Sequence, residues 1–316
     1  MWWDKPNPNK APAAEPHPFP FMKIRWIGFL VTLGMIAVTT FSLATQGLNM
    51  GLDFTGGVQI EAVSASQFDS GVVRAEVTKA GFHESTVITS DGGKTVIIRV
   101  PLEKGATVEQ IAGKLTTALG TGAKVLKTDN VSGKVSDELL VKGVLACLLA
   151  VIGIGAYVWF RFEVKFGTGA FLTTFHDVYA VIGLWSVTQM TFDLTIVAGV
   201  LTVAGYSIND TVVVYDRIRE MLKKYKKLTI SQVIDISITA TLSRTLMTSV
   251  TVMLSALAMI FLGGSVLAGF GIAIVFGVVI GTYSSIFVAA PLLIHLPGRI
   301  PGAKYRGDGN SAEARA

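Results

Sequence analysis

The chain has 316 residues, 51% of them hydrophobic and only 16% charged, with a net charge of +5. Soluble domains carry roughly 25% charged residues, so this composition excludes an ordinary water-soluble fold and points to lipid as the solvent for much of the surface. The single cysteine, Cys147, lies in an apolar run. It excludes a disulfide framework or a cysteine metal site and suits a small packed hydrophobe.

Residues 1–22, rich in Pro, Asn and Ala, read as a disordered tail. Lys23 and Arg25 then precede Trp26–Thr45, a mostly apolar run of about 20 residues, long enough to span hydrocarbon. A cleaved signal peptide is the rival reading, but its apolar core is normally about 7–15 residues. An uncleaved first helix is therefore expected.

Residues 47–137 read as an inserted water-soluble domain. Val58–Val63 alternates as a strand does, and Phe68–Ala80 has helical spacing. Ser85–Thr89 and Lys94–Val100 are β-rich, joined at the turn Ser90-Asp91-Gly92-Gly93. Thr107 with Gln110 has the spacing of a capping box at a helix start. Ala123–Val131 supplies a last strand. The order β-α-β-β-α-β predicts a ferredoxin-like α+β domain.

Five further runs of membrane length follow: 139–160, 167–188, 194–215, 243–262 and 266–294. The expectation is six transmembrane helices and a tail from 296. Basic residues flank alternate connections. Lys23 and Arg25 precede the first helix, and Arg161 and Lys165 lie between the second and third. A cluster from Arg217 to Lys227 separates the fourth and fifth, and Arg299, Lys304 and Arg306 follow the sixth. The connections 189–193 and 263–265 carry no Lys or Arg. The positive-inside rule then places both termini in the cytoplasm and the inserted domain on the far side. The same placement removes a nucleic-acid reading of the positive charge.

Polar residues inside membrane helices are costly and mark function by default. The fourth helix contains Gly205-Tyr206-Ser207-Ile208-Asn209-Asp210-Thr211. A buried Asp210 needs a partner or water, or holds a proton that it can take and release. Arg244, within Ser243-Arg244-Thr245 of the fifth helix, is the candidate partner; the alternative is a snorkelling anchor. For Asp210 the alternative is a structural hydrogen bond between helices. His176-Asp177 in the third helix suits a proton path, since His titrates near neutrality, or a polar packing pair. Asp216, Arg217, Arg219 and Glu220 read as a solvated turn after the fourth helix, and Asp193 as a solvated loop residue. The chain has no Walker loop, HExxH or GxSxG motif, and its four histidines are scattered. Neither an enzyme nor a metal site is expected, and energy must come from an ion gradient or a partner.

Four segments carry a family resemblance. Gly51-Leu52-Asp53-Phe54-Thr55-Gly56-Gly57 follows the first helix, and Gly205 to Glu220 closes the fourth. With His176-Asp177 and Ser243-Arg244-Thr245, they resemble the SecF family of the SecD–SecF protein-export complex, relatives of the resistance-nodulation-division transporters. The resemblance covers all but the tails. It implies a bacterial inner-membrane subunit that pairs with SecD and associates with the SecY–SecE–SecG channel, with YajC and YidC as further candidate partners. It implies use of a proton or sodium gradient, with no other cofactor, to promote late steps of preprotein translocation. It carries ion coupling onto Asp210 and Arg244, with Asn209, His176 and Asp177 as further candidates. Asp53, Gly56 and Gly57 carry over as structural, the glycines permitting tight backbone. The competing expectations are a small-solute or drug transporter subunit of the same superfamily and a membrane scaffold that moves no ions.

Overall fold

The structure, a computed structural model, describes residues 18–83, 85–101, 106–120, 122–131, 133–225 and 228–296. Contacts divide the chain into two compact units. One comprises Met1–Gly47, Leu149–Val187 and Ala198–Ala316; the other comprises Leu48–Leu148 and Thr188–Val197.

The second unit holds the inserted domain. A short helix α2 (Leu52–Thr55) precedes β1 (Gly57–Ser64), α3 (Ser70–Lys79), β2 (Thr86–Ser90), β3 (Thr95–Val100), α4 (Val108–Leu119) and β4 (Ala123–Val131). The strands form one antiparallel sheet in the order β2-β3-β1-β4, the ferredoxin-like arrangement that the pattern predicts. Alternation explains its core. Val58, Ile60 and Ala62 of β1 and Val96, Ile98 and Val100 of β3 all face one side and are buried. Val73 and Val77 of α3, and Ile111 and Leu115 of α4, are spaced by four and cover that side. Both helices start on side-chain caps. Asp69 accepts from the Gly71 and Val72 amides, and Thr107 and Gln110 form the expected capping box. Between β2 and β3, Gly92 takes φ 66°, the left-handed value that the turn requires.

Among the described residues, six helices are long and apolar enough to cross a membrane. They are α1 (Arg25–Thr45), α5 (Gly133–Arg161), α6 (Val164–Thr188), α7 (Leu194–Lys224), α8 (Ile230–Leu262) and a sixth segment built in three parts. These parts are α9 (Gly264–Ser284), a π turn (Ser285–Ala289) and α10 (Ala290–His295). Burial sorts the helices. The apolar windows of α6, α7 and the sixth segment are 50–61% buried, against 11–17% for α1, α5 and α8. The first three therefore carry the interior, and the others present their apolar faces outward, as lipid allows.

Small residues set the closest approaches. A Cβ at Gly277 would overlap the side chain of Val203 on α7, and one at Gly281 would sit 3.3 Å from the Ser207 Cβ. Gly277 and Gly281, four apart, thus form a seam against α7. The π turn has a cause two residues beyond it. Pro291 has no N–H to return to residue 287, and its ring crowds that carbonyl. The Tyr215 hydroxyl donates to the Ala289 carbonyl at the end of the turn, at 2.9 Å.

Three expectations need correction. The chain is ordered before residue 23: Phe21 and Met22 are buried, and the Met22 amide donates to Asp235 Oδ1 at 2.9 Å. Residues 1–17 and 297–316, expected as tails, lie outside the described residues. The Asp216–Glu220 segment is not a turn. α7 continues to Lys224 because Tyr215, Ile218, Met221 and Leu222 bury against Val233, Ile234 and Ile238; the i,i+3 pair Arg217–Glu220 does form, at 2.6 Å. Asp193 is not a freely solvated loop residue. It is partly buried and caps α7, accepting from the Ile196 amide at 3.1 Å.

Candidate functional site

The interior helices bring two carboxylates into the apolar bundle. Asp210 is residue 17 of the 31 in α7. It therefore lies about 24 Å along the helix from its start, against a hydrocarbon thickness of about 30 Å. It is 4% exposed. Its partners are two hydroxyls: Thr245 of α8 donates to Oδ1 at 3.0 Å, and Ser285 of the π turn lies 3.3 Å from Oδ2. Asp177 of α6 is fully buried. His176 Nδ1 lies 2.8 Å from its Oδ1. Its Oδ2 accepts from Ser207 of α7 through a very short hydrogen bond and from Ser284 of α9 at 2.7 Å.

Among the described residues, no Lys or Arg forms an ion pair with either carboxylate. Arg244, the partner suggested by the sequence, forms no ion pair with Asp210 among the described residues. Its neighbour Thr245 takes that place, while Arg244 lies exposed on α8. The guanidinium still lies close enough for its charge to act on Asp210. Asn209 is exposed on α7 and hydrogen-bonds to neither carboxylate. His176 is buried, and its Nε2 has no hydrogen-bond partner. Among the described residues, no group of three or more His, Cys, Asp or Glu is arranged to hold a metal ion.

One helical turn away from the Asp210 layer lies a chain of hydroxyls. Tyr206 Oη is 2.8 Å from Ser249 Oγ, and Ser249 Oγ is 2.7 Å from Thr282 Oγ1. Each member sits three or four residues from an Asp210-layer residue on its own helix: Tyr206 from Asp210, Ser249 from Thr245, Thr282 from Ser285. The site is thus two stacked polar layers between α7, α8 and the sixth segment.

The Asp-Phe-Thr-Gly-Gly motif builds a second polar cluster, within the inserted-domain unit. Asp53 Oδ2 accepts from the Leu194 amide at 3.0 Å, capping α7. Gly51 accepts and donates nothing through a side chain, but its amide donates to Phe192 O at 2.7 Å, and Met50 pairs with Phe192 as an isolated β-bridge. Phe54 stacks on Phe192 with ring centroids 6.1 Å apart. Arg99 of β3 donates to Gln59 Oε1 at 2.7 Å and Thr191 Oγ1 at 3.0 Å. Burial holds the Arg99 guanidinium below its usual range, opposed by the charges of Asp193 and Asp53. Burial also pushes the Asp193 carboxyl up, and the neighbouring Asp53 charge adds to that, against the Ile196 amide and Arg99. Gly57 follows with φ 113°, where a Cβ would overlap the Val100 carbonyl oxygen.

Sequence reasoning singled out Asp210, Asp177 and His176 but not Ser284 and Ser285. The available signal was a pair of adjacent hydroxyls in an apolar run, seven and six residues before a proline. Ser207 and Thr245 lay inside quoted motifs without a role.

Comparison with known proteins then supplies a family. Residues 111–299 match the model described as "Protein export membrane protein SecD/SecF, C-terminal", and residues 41–62 match the "SecD/SecF GG Motif". Over 87% of the chain, 42% of positions are identical to the protein translocase subunit SecF of Pseudomonas aeruginosa, of which 90% is covered. The chain belongs to the SecF family. The corresponding subunit of Vibrio alginolyticus is 39% identical over 87% of this chain and 89% of its own length. The crystal structure of SecDF from Thermus thermophilus superposes on 90% of this chain with a TM-score of 0.82 at 33% identity. This chain spans 39% of that longer SecDF chain. The Asp53-to-Gly57 cluster falls inside the GG-motif match, and both carboxylates fall inside the C-terminal match.

Proposed function

We propose that this chain is the SecF-type subunit of a protein translocase and that it couples ion movement to late preprotein translocation through Asp210. The observation that carries the reading is a carboxylate buried in the bundle and held by two neutral hydroxyls. A charge there has little compensation, so protonation or a bound monovalent cation is strongly favoured whenever the site closes. Gaining or losing that charge changes which hydroxyl geometry is best and biases helix packing. One charge moving through 100 mV supplies about 2.3 kcal/mol, so a few ions per cycle suffice for a substantial conformational change.

Three further features support a partnered machine in the bacterial inner membrane. Arg244 is exposed near the middle of α8, together with Leu246, Met247, Val250 and Leu254. A guanidinium beside that exposed apolar face suits a surface covered by a second membrane subunit, SecD in this family. The basic residues beside alternate helix ends orient both termini toward the cytoplasm and the inserted domain toward the periplasm. The inserted domain is joined covalently to α1 and α5, so repacking of those helices is passed along the chain. The SecY–SecE–SecG channel, and YajC and YidC, are the proposed associates.

The test is Asp210→Asn in the full chain with its SecD-type partner in proteoliposomes. Gradient-dependent preprotein release should be lost while assembly is retained. Undiminished release would favour the scaffold reading, and solute flux without any effect on preprotein would favour a small-solute transporter.

A further inference from the structure

The two buried carboxylates draw on adjacent hydroxyls. Ser284, the last residue of α9, lies 2.7 Å from Asp177 Oδ2, and Ser285, the first residue of the π turn, lies 3.3 Å from Asp210 Oδ2. Each hydroxyl also reaches a carbonyl of its own helix: Ser284 Oγ is 3.1 Å from Gly281 O, and Ser285 Oγ is 3.0 Å from Thr282 O. A serine hydroxyl has a single proton to donate. It serves the carboxylate or the carbonyl, and a charged carboxylate is much the stronger attractor. Once the carboxylate is neutral, the hydroxyl is free to turn back to its helix. The charge on each aspartate is therefore registered by one of two neighbouring residues.

Those residues sit where the helix is least regular. The π turn of Ser285–Ala289 carries an extra residue ahead of Pro291, and such turns concentrate at functional sites. The same turn packs on α1. A Cβ at Gly28 would lie 2.9 Å from the Phe287 Cβ, and the Tyr283 hydroxyl donates to the Gly28 carbonyl at 2.5 Å. Any change in the winding of this turn is felt at α1.

We propose that Ser284 and Ser285 are positioning residues that couple Asp177 to Asp210 through the π turn, so that losing charge at one carboxylate changes the proton affinity of the other. The proposal rests on the ion-coupling reading of Asp210. The groups facing the two sites are few. Asp210 meets Thr245 and the charge of Arg244 from α8 and Ser285 from the π turn. Asp177 meets His176 on its own helix, Ser207 on α7, and Ser284 and Tyr283 from the sixth segment. No hydrogen bond joins the carboxylates directly among the described residues. Ser284 touches Asp177 and not Asp210, which separates coupling from simple satisfaction of a buried carboxylate.

The measurement is infrared titration of the full chain with its SecD-type partner in proteoliposomes, with the Asp210 carboxyl band identified by its disappearance in Asp210→Asn. Ser285→Ala removes a donor from Asp210 and should move its midpoint toward higher pH. Ser284→Ala should move the same midpoint by about one pH unit, an ordinary size for coupling between sites, and Ser284→Thr should restore it. Asp177→Asn, which keeps Ser284, should move it as well and guards against a serine variant that fails to assemble. An Asp210 midpoint unmoved by both Ser284→Ala and Asp177→Asn overturns the coupling. If Asp210→Asn meanwhile abolishes release, the ion-coupling reading stands and only the link is lost. Normal release by Asp210→Asn removes both.

Discussion

Replacing Gly57 by alanine should weaken the inserted domain at the point where the GG motif enters its sheet. Two costs add. At φ 113° an L-residue sits in sparsely populated backbone space, which costs about 1–3 kcal/mol. The new Cβ would also overlap the Val100 carbonyl oxygen and lie 3.1 Å from its carbon and 3.2 Å from the Pro101 Cα. These are backbone atoms on the partner strand, paired through Val58↔Val100, so they yield only if the β1–β3 ladder opens. Overpacking of this kind costs a further ~1–3 kcal/mol. A loss of about 3 kcal/mol corresponds to a hundredfold or greater drop in hydrogen-exchange protection. It should be read at the amides of Val58, Ile60, Val96 and Ile98 in the full-length chain in detergent. Gly92→Ala is the internal comparison. Its φ of 66° is left-handed, but nothing lies within 4 Å of the added methyl, so only the backbone cost of about 1–2 kcal/mol remains. Equal protection losses in the two variants would refute the argument that close approach, rather than turn conformation, dictates glycine at position 57.

Two other predictions follow from the same contacts. The carboxyl of Asp193 has a folded-state pKa raised by burial and by Asp53, so the folded state holds its proton more tightly than the unfolded chain does. Its contribution is therefore neutral below the ordinary carboxylate range and becomes destabilising as pH rises from there through the raised folded value. Asp193→Asn, which preserves the cap on Ile196, should flatten that fall, measured as the pH dependence of hydrogen exchange across residues 188–197; an unchanged profile would remove Asp193 as its source. In the membrane bundle, Gly277→Val should push the sixth segment from Val203 and lower thermal stability by about 1–3 kcal/mol. Because the same seam sets the sixth segment, with Ser285, against Asp210 of α7, it should also cut gradient-driven release; a stable variant with full release would show that the close seam is dispensable.

Much of this protein is legible in one dimension. Long apolar runs have one inexpensive solution in lipid, a backbone-satisfied helix, so all six spans follow from composition and length. The inserted domain is equally direct, because alternation in β1 and β3 and the Thr107–Gln110 cap are local codes that pair short stretches of chain. The helix ends were less so: α7 and α8 extend past their apolar runs because Tyr215, Ile218 and Leu222 find Val233, Ile234 and Ile238, a contact that no window of sequence contains.

The buried carboxylates mark the same division. That Asp177 and Asp210 are costly acids in apolar helices could be read from the sequence, and the GG and fourth-helix motifs carried the family. Their partners could not be read, because helix rotation decides which neighbour faces inward. Arg244 and Thr245 are adjacent in sequence and about 100° apart around α8, and the packing turned the threonine toward Asp210 and the arginine outward. Ser284 and Ser285, likewise about 100° apart around their helix, reach different carboxylates. The sequence by itself determined six membrane helices, one ferredoxin-like insertion and two costly acids. Only the tertiary structure decided that hydroxyls hold both acids, with His176 beside Asp177, and that among the described residues Arg244 forms no ion pair with Asp210.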